Sequence, residues 1–408
     1  MTLKTYRDNN ITLPVQHSQN FQVFDHSTTV SAPVFKISKP LESVFDGVAN
    51  QVVCITTNDD FKALKQDWNQ LVAKSSNPNP FVLWEWMFTW WETYSQNTDK
   101  LYILALYQAD ELVALAPFYI QTKGLFIKRL SLIGEGENEA DAAVTSYPDI
   151  IVKCNYRDQC VNDLSKFIND AVVSRPVFNY ASFNLVRDNS VLQQVGEQLS
   201  NKLVKLKKHS ENQFVINLPD SEDEYVASLS KSTRKQFRLK QSRLQKAGEL
   251  EILTEDKLSN GLEIIEKLHR ARWKDVTDEN AFDSSKFVQF HNTLAERFQQ
   301  QDVMTIRVMR HAGTPIAASY NFNYQKSCYS YLSGFKSADD KRYSPMFIFD
   351  MLEIKTFIAQ GFQRYDMLVS ESQNNYKTKF GSDVNSVYRI HWLQKGLIAS
   401  SMLSYMKV

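Results

Sequence analysis

The residues whose types and spacing suit binding chemistry are concentrated around one predicted helix start. Lys341, Arg342 and Tyr343 precede Ser344 and Pro345, which suit the cap and the first position of a helix. The free N–H groups at a helix start carry partial positive charge, and two adjacent cations add to it. This pattern predicts a site for a phosphate or a pyrophosphate, and its alternative is a capped helix beside a solvated basic loop.

The elements that must position this site belong to a pattern that occurs twice. Each copy has a three-stranded meander, an amphipathic helix and one further strand. In the first copy the elements are predicted at 102–107, 112–120, 126–133, 158–173 and 180–186. In the second copy they are predicted at 304–310, 316–324, 328–335, 345–360 and 364–369. The repetition favours duplicated α/β domains over a chance similarity of two meanders.

The domain boundaries follow from this repetition. Residues 1–50 are polar, contain three prolines and show no sustained period, so we expect an irregular leader there. The first domain is predicted at 51–207 and the second at 208–408, with a basic, polar stretch at the boundary.

The composition excludes several classes of protein. Lys and Arg number 47 against 46 Asp and Glu in 408 residues, so the net charge of +1 does not suit a globally basic nucleic-acid or membrane binder. The four cysteines form no Cys-x-x-Cys pair, which indicates buried free thiols in a reducing cytoplasm. The start of the sequence lacks the apolar core of a signal peptide, and the most apolar run, 81–91, is too short to span a bilayer. We therefore expect a cytoplasmic protein.

Aromatic and histidine residues add little specific chemistry. The seven histidines show no paired ligand spacing, so we expect no metal site. Four tryptophans between 84 and 91 could stack on sugars, but packing in the core is the simpler account.

A series of short motifs runs through positions 60–395. They are Asn79-Pro80-Phe81, Trp84-Glu85-Trp86, Trp90-Trp91, Leu112 to Pro117, Ser232 to Leu244, Leu268-His269, Arg272-Trp273, Phe290-His291, Tyr331 with Ser333-Gly334, Ser344-Pro345, Tyr376-Lys377 and Phe380-Gly381. The order of strand, anion-suited loop, helix and strand resembles the core of the GNAT acyl-CoA-dependent N-acyltransferases. More specifically, the motifs resemble the acetyltransferases involved in cellulose biosynthesis, which are relatives of the tandem-domain Fem-type peptidoglycan ligases.

The resemblance implies a mixed α/β fold with two tandem GNAT-like domains and acyl-CoA, expected to be acetyl-CoA, as co-substrate without a metal. It places the CoA pyrophosphate at 341–344 and the pantetheine beside the strand that contains Leu332 and Ser333. Typical GNAT domains have a glycine-rich loop here, whereas 341–345 contains no glycine. Because 155–159 lacks an equivalent basic cluster, the active site is assigned to the second domain and a degenerate, supporting role to the first.

The resemblance also implies direct acyl transfer at the point where two strands separate. Asp366 and Glu371 are then candidates for the base or for orienting the acceptor, and Tyr376 is the candidate acid. Lys377 is a candidate for binding an anionic acceptor. His291 and Trp273 are further candidates for the acceptor side, although a position at the edge of the core also suits His291.

A basic helix is predicted before this region. Its seven cations occur without any acid, and Phe237 and Leu244 share its apolar face. The cations are Lys231, Arg234, Lys235, Arg238, Lys240, Arg243 and Lys246. They suit a solvated face, contact with the phosphates of CoA or of a phosphorylated acceptor, or docking of nucleic acid or an anionic membrane.

Three functions fit these patterns. The first hypothesis is an acyl-CoA-dependent acyltransferase that modifies a saccharide or a cell-envelope or exopolysaccharide precursor. The second is a Fem-like transferase that moves an aminoacyl group from tRNA to a peptidoglycan precursor. The third is a non-catalytic scaffold of a polysaccharide-synthesis system. The sequence leaves the acceptor and the oligomeric state open.

Overall fold

Short runs of apolar and β-branched or aromatic residues build most of the strands of this computed structural model, which describes residues 41–45, 48–123, 127–173, 177–255, 257–273, 280–299, 301–336, 343–370 and 376–395. The strands are β1 (Leu41–Phe45), β2 (Val48–Ile55), β3 (Lys100–Gln108), β4 (Glu111–Lys123), β5 (Ile127–Leu132), β6 (Ile151–Val152), β7 (Tyr180–Arg187), β8 (Leu203–Asn217), β9 (Leu250–Thr254), β10 (Met304–His311), β11 (Thr314–Tyr324), β12 (Ser327–Phe335), β13 (Arg364–Ser370) and β14 (Asp383–Gln394).

Ten α-helices are found in the same residues. They are α1 (Asn58–Ala63), α2 (Lys65–Ala73), α3 (Trp84–Tyr94), α4 (Arg157–Val173), α5 (Val191–Gln198), α6 (Glu222–Ser228), α7 (Lys231–Ala247), α8 (Leu258–Trp273), α9 (Ser285–Phe298) and α10 (Pro345–Ala359). Both predicted meanders, the helix and strand after each, and the basic helix are confirmed, with bounds that shift by only a few residues.

The two meanders have matching turns. The turn between β3 and β4 places Ala109 and Asp110 at positive φ, and the turn between β10 and β11 does the same with Ala312 and Gly313. Tight hairpins favour positive φ at both central residues because their twist then matches that of the strands. The repeated pattern in the sequence is therefore also a repeat of backbone conformation.

All fourteen strands form one sheet, because the two halves exchange strands at its centre. The order is β1-β2-β3-β4-β5-β7-β14-β8-β13-β12-β11-β10-β9, with β6 paired to β4. Strand β8 follows the first copy in sequence but pairs with β13, and β14 pairs with both β7 and β8. Position 207, the predicted boundary, lies within β8.

The core divides in the same way. One apolar cluster combines the first copy with Ile390 and Trp392 of β14, and a second cluster combines the second copy with Phe214 and Ile216 of β8. Each half is therefore completed by a strand that its own repeat does not contain.

Several features differ from expectation. Strand β1 and the start of β2 fall in the stretch predicted to be irregular, because the two strands pair with each other as an antiparallel hairpin at the sheet edge. The prediction of buried thiols is wrong for Cys154, which is exposed, and Cys54 is only half-buried. In the described part of the chain, no helix combines the length and the apolar character needed to cross a membrane.

Candidate active site

A gap opens in the sheet where β12 and β13 separate. The two strands are parallel and pair only at Ser327, Cys328 and Tyr329 of β12. Beyond this point Tyr331 forms a bulge against β11, and Leu368 of β13 adopts a φ of 55°. The rest of β12, including the predicted residues Leu332 and Ser333, has no pairing with β13, so backbone groups of its edge face the gap.

The start of α10 lies beside this gap and is free of acidic residues in its first turn. Pro345 occupies the first position, as predicted, and Gly361 follows the helix with a φ of 76°. Ser344 does not cap the helix, which corrects the expectation. Its backbone is left-handed, and its hydroxyl lies 2.5 Å from the Lys240 Nζ, which donates to it. The first-turn N–H groups are therefore not neutralised by a carboxylate of that turn.

A cavity of about 390 Å³ lies between the end of β12 and the start of α10. Its lining comes from α7, α8, β12, α10 and the 3-10 helix Tyr376–Phe380. The lining residues are Gln236, Lys240, Arg272, Phe335, Ser344, Pro345, Met346, Phe347, Tyr376 and Lys379. Three of them are cations and none is an acid, so the described lining favours an anionic ligand.

The electrostatics of Lys240 agree with this. Partial burial, together with the nearby charges of Arg243 and Lys379, lowers the pKa of its ammonium below the ordinary value. Arg272 lies across the cavity, and its guanidinium is 5.1 Å from the centroid of the Phe335 ring. A bound anion would relieve the repulsion among these cations.

Tyr376 links the cavity to a buried carboxyl group. It is 42% exposed and lines the cavity, and its hydroxyl donates a hydrogen bond of 2.6 Å to Asp350 Oδ2. Asp350 lies on α10 and is only 2% exposed. Burial is the main cause that raises the pKa of the Asp350 carboxyl to about 7, and the same burial raises the pKa of Tyr376.

Unlike Tyr376, Lys377 points towards the backbone of β13. Its Nζ donates to the backbone oxygens of Met367 and Val369, at 2.6 and 3.1 Å, and burial lowers its pKa to about 8. The ammonium therefore holds the end of β13 around the left-handed Leu368 and is not part of the cavity lining.

Asp366 lies in a different buried network. The side chain has no exposed surface and accepts hydrogen bonds from the Tyr147 hydroxyl at 2.9 Å and the Gln213 amide at 2.5 Å. Arg187 and Arg364 lie 3.4 and 3.5 Å from its Oδ2. These partners come from both halves of the chain, so the structure places Asp366 at their junction and not in the cavity.

The predicted acceptor residues also lie apart from the cavity. His291 is buried in α9 with its Nδ1 3.3 Å from the Tyr320 hydroxyl, and burial lowers its pKa to about 3. Trp273 is half-buried at the end of α8, with the Arg272 guanidinium 4.9 Å from its ring. Tyr343 packs against the core of the second half. Lys341, Arg342 and Glu371 lie outside the described residues.

Core packing was expected for at least half of the four tryptophans, and all four are buried. Trp84, Trp86, Trp90 and Trp91 are all buried, and their ring nitrogens donate to Phe61, Thr145, Glu137 and Asn58, respectively. Their faces are therefore not available for stacking on a sugar.

Sequence reasoning missed two functional candidates. Asp350 interrupts the apolar stretch of α10, and a carboxyl group at a position where the helical pattern requires burial is a signal for a buried polar site. Lys379 lies in the 3-10 helix after Tyr376, and nothing in its local pattern indicates that it lines a cavity with a residue of α7.

Part of the second half of the chain matches a known domain family. Residues 231–378 match the family model described as an acetyltransferase (GNAT) domain. This segment begins at α7 and ends in the 3-10 helix, so it contains the start of α10, Tyr376 and every lining residue of the cavity except Lys379. The second half of the chain is therefore similar to GNAT acetyltransferase domains over these residues. No curated protein matches the sequence.

Two solved structures share the fold over most of the chain. FemX is similar with a TM-score of 0.59 at 11% identity, covering 88% of this chain and 100% of FemX. A conserved protein of unknown function from Bacteroides thetaiotaomicron VPI-5482 is similar with a TM-score of 0.51 at 10% identity, covering 84% and 100% of the two chains. The predicted mixed α/β, tandem GNAT-like fold is confirmed. Membership of the cellulose-biosynthesis family stays a prediction.

Proposed function

We propose that the protein is an acyl-CoA-dependent acyltransferase that uses the second half of the chain. The observation that carries the proposal is the cavity in which Lys240, Arg272 and Lys379 surround the start of α10, with no acid among its described lining residues. Backbone N–H groups combined with cations suit a diphosphate, which carries two negative charges. The GNAT domain match over the same residues supports acyl-CoA as the source of that diphosphate.

In this proposal the pantetheine arm lies in the gap between β12 and β13. An N–H group of the unpaired edge of β12, near Leu332 and Ser333, holds the thioester oxygen as negative charge develops on it. One donor of this kind contributes about 10²–10³ in rate. The acceptor forms a bond to the acyl carbon, the carbon–sulfur bond breaks, and Tyr376 supplies the proton that the leaving thiolate takes up.

The acceptor is proposed to be an amine or hydroxyl of a saccharide or of a cell-envelope or exopolysaccharide precursor in the cytoplasm. This part rests on the resemblance to the cellulose-biosynthesis acetyltransferases. Glu371, Lys377, His291 and Trp273 stay candidates for orienting that acceptor, and Lys341 and Arg342 stay candidates for the donor phosphates.

One observation favours a second candidate, a transferase that takes an aminoacyl group from tRNA. Helix α7 carries cations on its exposed surface next to the cavity, and an exposed row of cations is typical of contact with a nucleic-acid backbone. Lys231, Lys235, Arg238, Arg243 and Lys246 are all exposed.

Titration calorimetry with acetyl-CoA tests the proposal. We expect saturable binding, and Lys240→Ala should weaken it about 10- to 150-fold, the equivalent of one charge-assisted hydrogen bond of about 1.5–3 kcal/mol. Lys231→Ala is the matched control, because it removes the same charge from the exposed start of the same helix and should leave affinity nearly unchanged.

The alternatives give different titrations. Binding of aminoacyl-tRNA without binding of acetyl-CoA or longer acyl-CoAs would support the second candidate. Binding of none of these would contradict both transferases and support a non-catalytic scaffold.

A further inference from the structure

Helix α10 carries the carboxyl group of Asp350 among apolar side chains of the core. The helix is buried on nearly all sides, and Phe349, Met351 and Ile354 around Asp350 have no exposed surface. Placing a carboxyl group there is costly unless its charge is compensated. The hydrogen bond from Tyr376 provides a partner, so the two residues form a pair with one member in the core and one at the cavity.

Glu353 is a second buried carboxyl group on the same helix, and its contacts are those of a structural residue. Glu353 has no exposed surface and accepts hydrogen bonds from Ser319, Asn321 and Tyr365, at 2.5, 2.8 and 2.9 Å. All three donors lie on the strands that α10 covers. Glu353 therefore fastens the helix to the sheet, whereas the partner of Asp350 lines the cavity.

The charges around Asp350 leave its protonation state adjustable. Lys377 and Arg272 favour the ionised carboxylate, and Glu353 opposes it. Three tyrosines complete the surroundings. They are Tyr376 of the 3-10 helix, Tyr225 of α6 and Tyr365 of β13. Burial outweighs the two cations and raises the pKa of Asp350 to about 7, so both protonation states are populated near neutral pH.

We propose that Asp350 is a positioning residue that acts through Tyr376, holding its hydroxyl at the cavity and exchanging a proton with it during acyl transfer. The inference rests on the proposed function and adds to it the origin of the proton that reaches the thiolate. In the proposed starting state Asp350 is ionised and accepts the 2.6 Å hydrogen bond from the Tyr376 O–H.

The proton balance closes without another reactant. As the acceptor attacks, its proton passes to the Tyr376 oxygen while the original Tyr376 proton passes to Asp350. When the carbon–sulfur bond breaks, Tyr376 gives a proton to the sulfur and Asp350 returns its proton to Tyr376. The acceptor's proton is thereby replaced by one on the CoA thiol, and Asp350 is ionised again. Only Tyr376 touches the reacting atoms.

The test measures the rate at which the thiol of CoA is released from acetyl-CoA. The acceptor is glucosamine, which carries an amine and hydroxyl groups. Acyl transfer to water also releases the thiol, so turnover is detected with either acceptor. Asp350→Asn keeps the shape and a hydrogen-bond acceptor but cannot take up the proton. We expect a loss of about 10²–10⁴ in kcat with unchanged acetyl-CoA affinity. In the wild type, kcat should rise with pH up to about 7, because the ionised form is required, and this rise should be absent in the variant.

Two further variants separate a proton path from simple support. Tyr376→Phe should cost as much as Asp350→Asn, and the double variant should cost no more than either one, since residues that act as a unit are not additive. Tyr225→Phe is the control. It removes a hydrogen bond of 3.2 Å to the backbone oxygen of Phe380 in the same 3-10 helix, and it should keep both kcat and the pH profile.

The outcomes distinguish this inference from the proposed function. Wild type that binds no acyl-CoA would overturn both. Normal binding and turnover, with Asp350→Asn keeping full kcat or the wild-type pH profile, would overturn the role of Asp350 alone. Additive losses in the double variant would do the same.

Discussion

The proposed roles of Asp350 and Lys240 follow from their neighbours in the fold. Their residue types alone do not indicate these roles. An aspartate on an exposed helix face would be one more solvated acid, and a lysine among six other cations of α7 is unremarkable in the sequence. The structure brings Lys240 to the start of α10 and turns Asp350 towards Tyr376. In both cases the neighbour is distant in sequence, by about one hundred residues for Lys240.

The pKa of Asp350 has a consequence for stability that does not depend on catalysis. In the unfolded chain an aspartate titrates at about 3.9, and in the fold its pKa is raised to about 7. At pH values between these two, the folded state binds the Asp350 proton more tightly than the unfolded state does. The carboxyl group's contribution to the free energy of unfolding is therefore fully present below about pH 4 and is lost as pH rises to about 7.

Asp350→Asn should therefore gain stability relative to wild type as pH rises. Each pH unit between the two pKa values corresponds to about 1.4 kcal/mol, and we expect the difference in free energy of unfolding to change by about 2–3 kcal/mol between pH 5 and pH 8. Urea unfolding of both proteins at the two pH values measures it. If the difference in free energy of unfolding between Asp350→Asn and wild type is the same at the two pH values, the pKa of Asp350 is not raised.

At the scale of elements, the cavity depends on how closely α8 lies against β12. A Cβ atom on Gly334 would lie 2.6 Å from the backbone nitrogen of His269 and 2.8 Å from the carbonyl carbon of Leu268. The strand and the helix are thus in backbone contact, and only glycine permits it. Phe335 follows on the strand and Arg272 on the helix, so this contact fixes two sides of the cavity.

Gly334→Ala should push α8 away from the sheet. We expect a loss of about 1–3 kcal/mol in the free energy of unfolding, as for other overpacked sites, together with weaker acetyl-CoA binding because Arg272 moves. Gly313→Ala is a useful comparison. Its Cβ would meet nothing within 4 Å, so only the strain of its φ of 76° applies, and acetyl-CoA affinity should not change. If Gly334→Ala and Gly313→Ala bind acetyl-CoA equally well, the contact between Gly334 and α8 does not shape the cavity.

The elements that sequence predicted well are those with strong local patterns. The hairpins around Ala109 and Ala312, the helix opened by Pro345 and the basic helix all follow from turn residues and periodicity. Strands β8 and β14 were missed. Much of β8 is charged and exposed, and it is a strand because β13 and β14 pair with it on either side, which no local pattern encodes.

The same distinction applies to the site. Ser344 and Tyr376 were predicted and line the cavity, because a helix start and the residues after a strand end have fixed places in this fold. Asp366 was predicted by the same reasoning, but alternate residues of a strand face opposite sides of the sheet. Tyr365 faces α10 through Glu353, and Asp366 faces Tyr147 of the other half. The sequence alone did not indicate which side carries the site.

Across the whole molecule, the two halves share hairpin turns and a separation between two parallel strands, but they differ in the charges near that separation. Strands β5 and β7 also separate after two pairs, and Leu185 of β7 has a φ of 51° where Leu368 has 55°. Beside this separation the buried Glu135 carboxyl group accepts a hydrogen bond from the backbone N–H of Asn184, and burial raises its pKa to about 8. Helix α4 has Asp158 in its first turn, which opposes binding of an anion there. We therefore propose one donor site per chain.

A crystal structure of the protein with bound CoA would show whether the start of α10 is the donor site. We expect one CoA per chain, with its diphosphate against the first-turn N–H groups of α10 and Lys240, and its pantetheine between β12 and β13. A diphosphate bound at α4, or anywhere away from the start of α10, would overturn the proposed site.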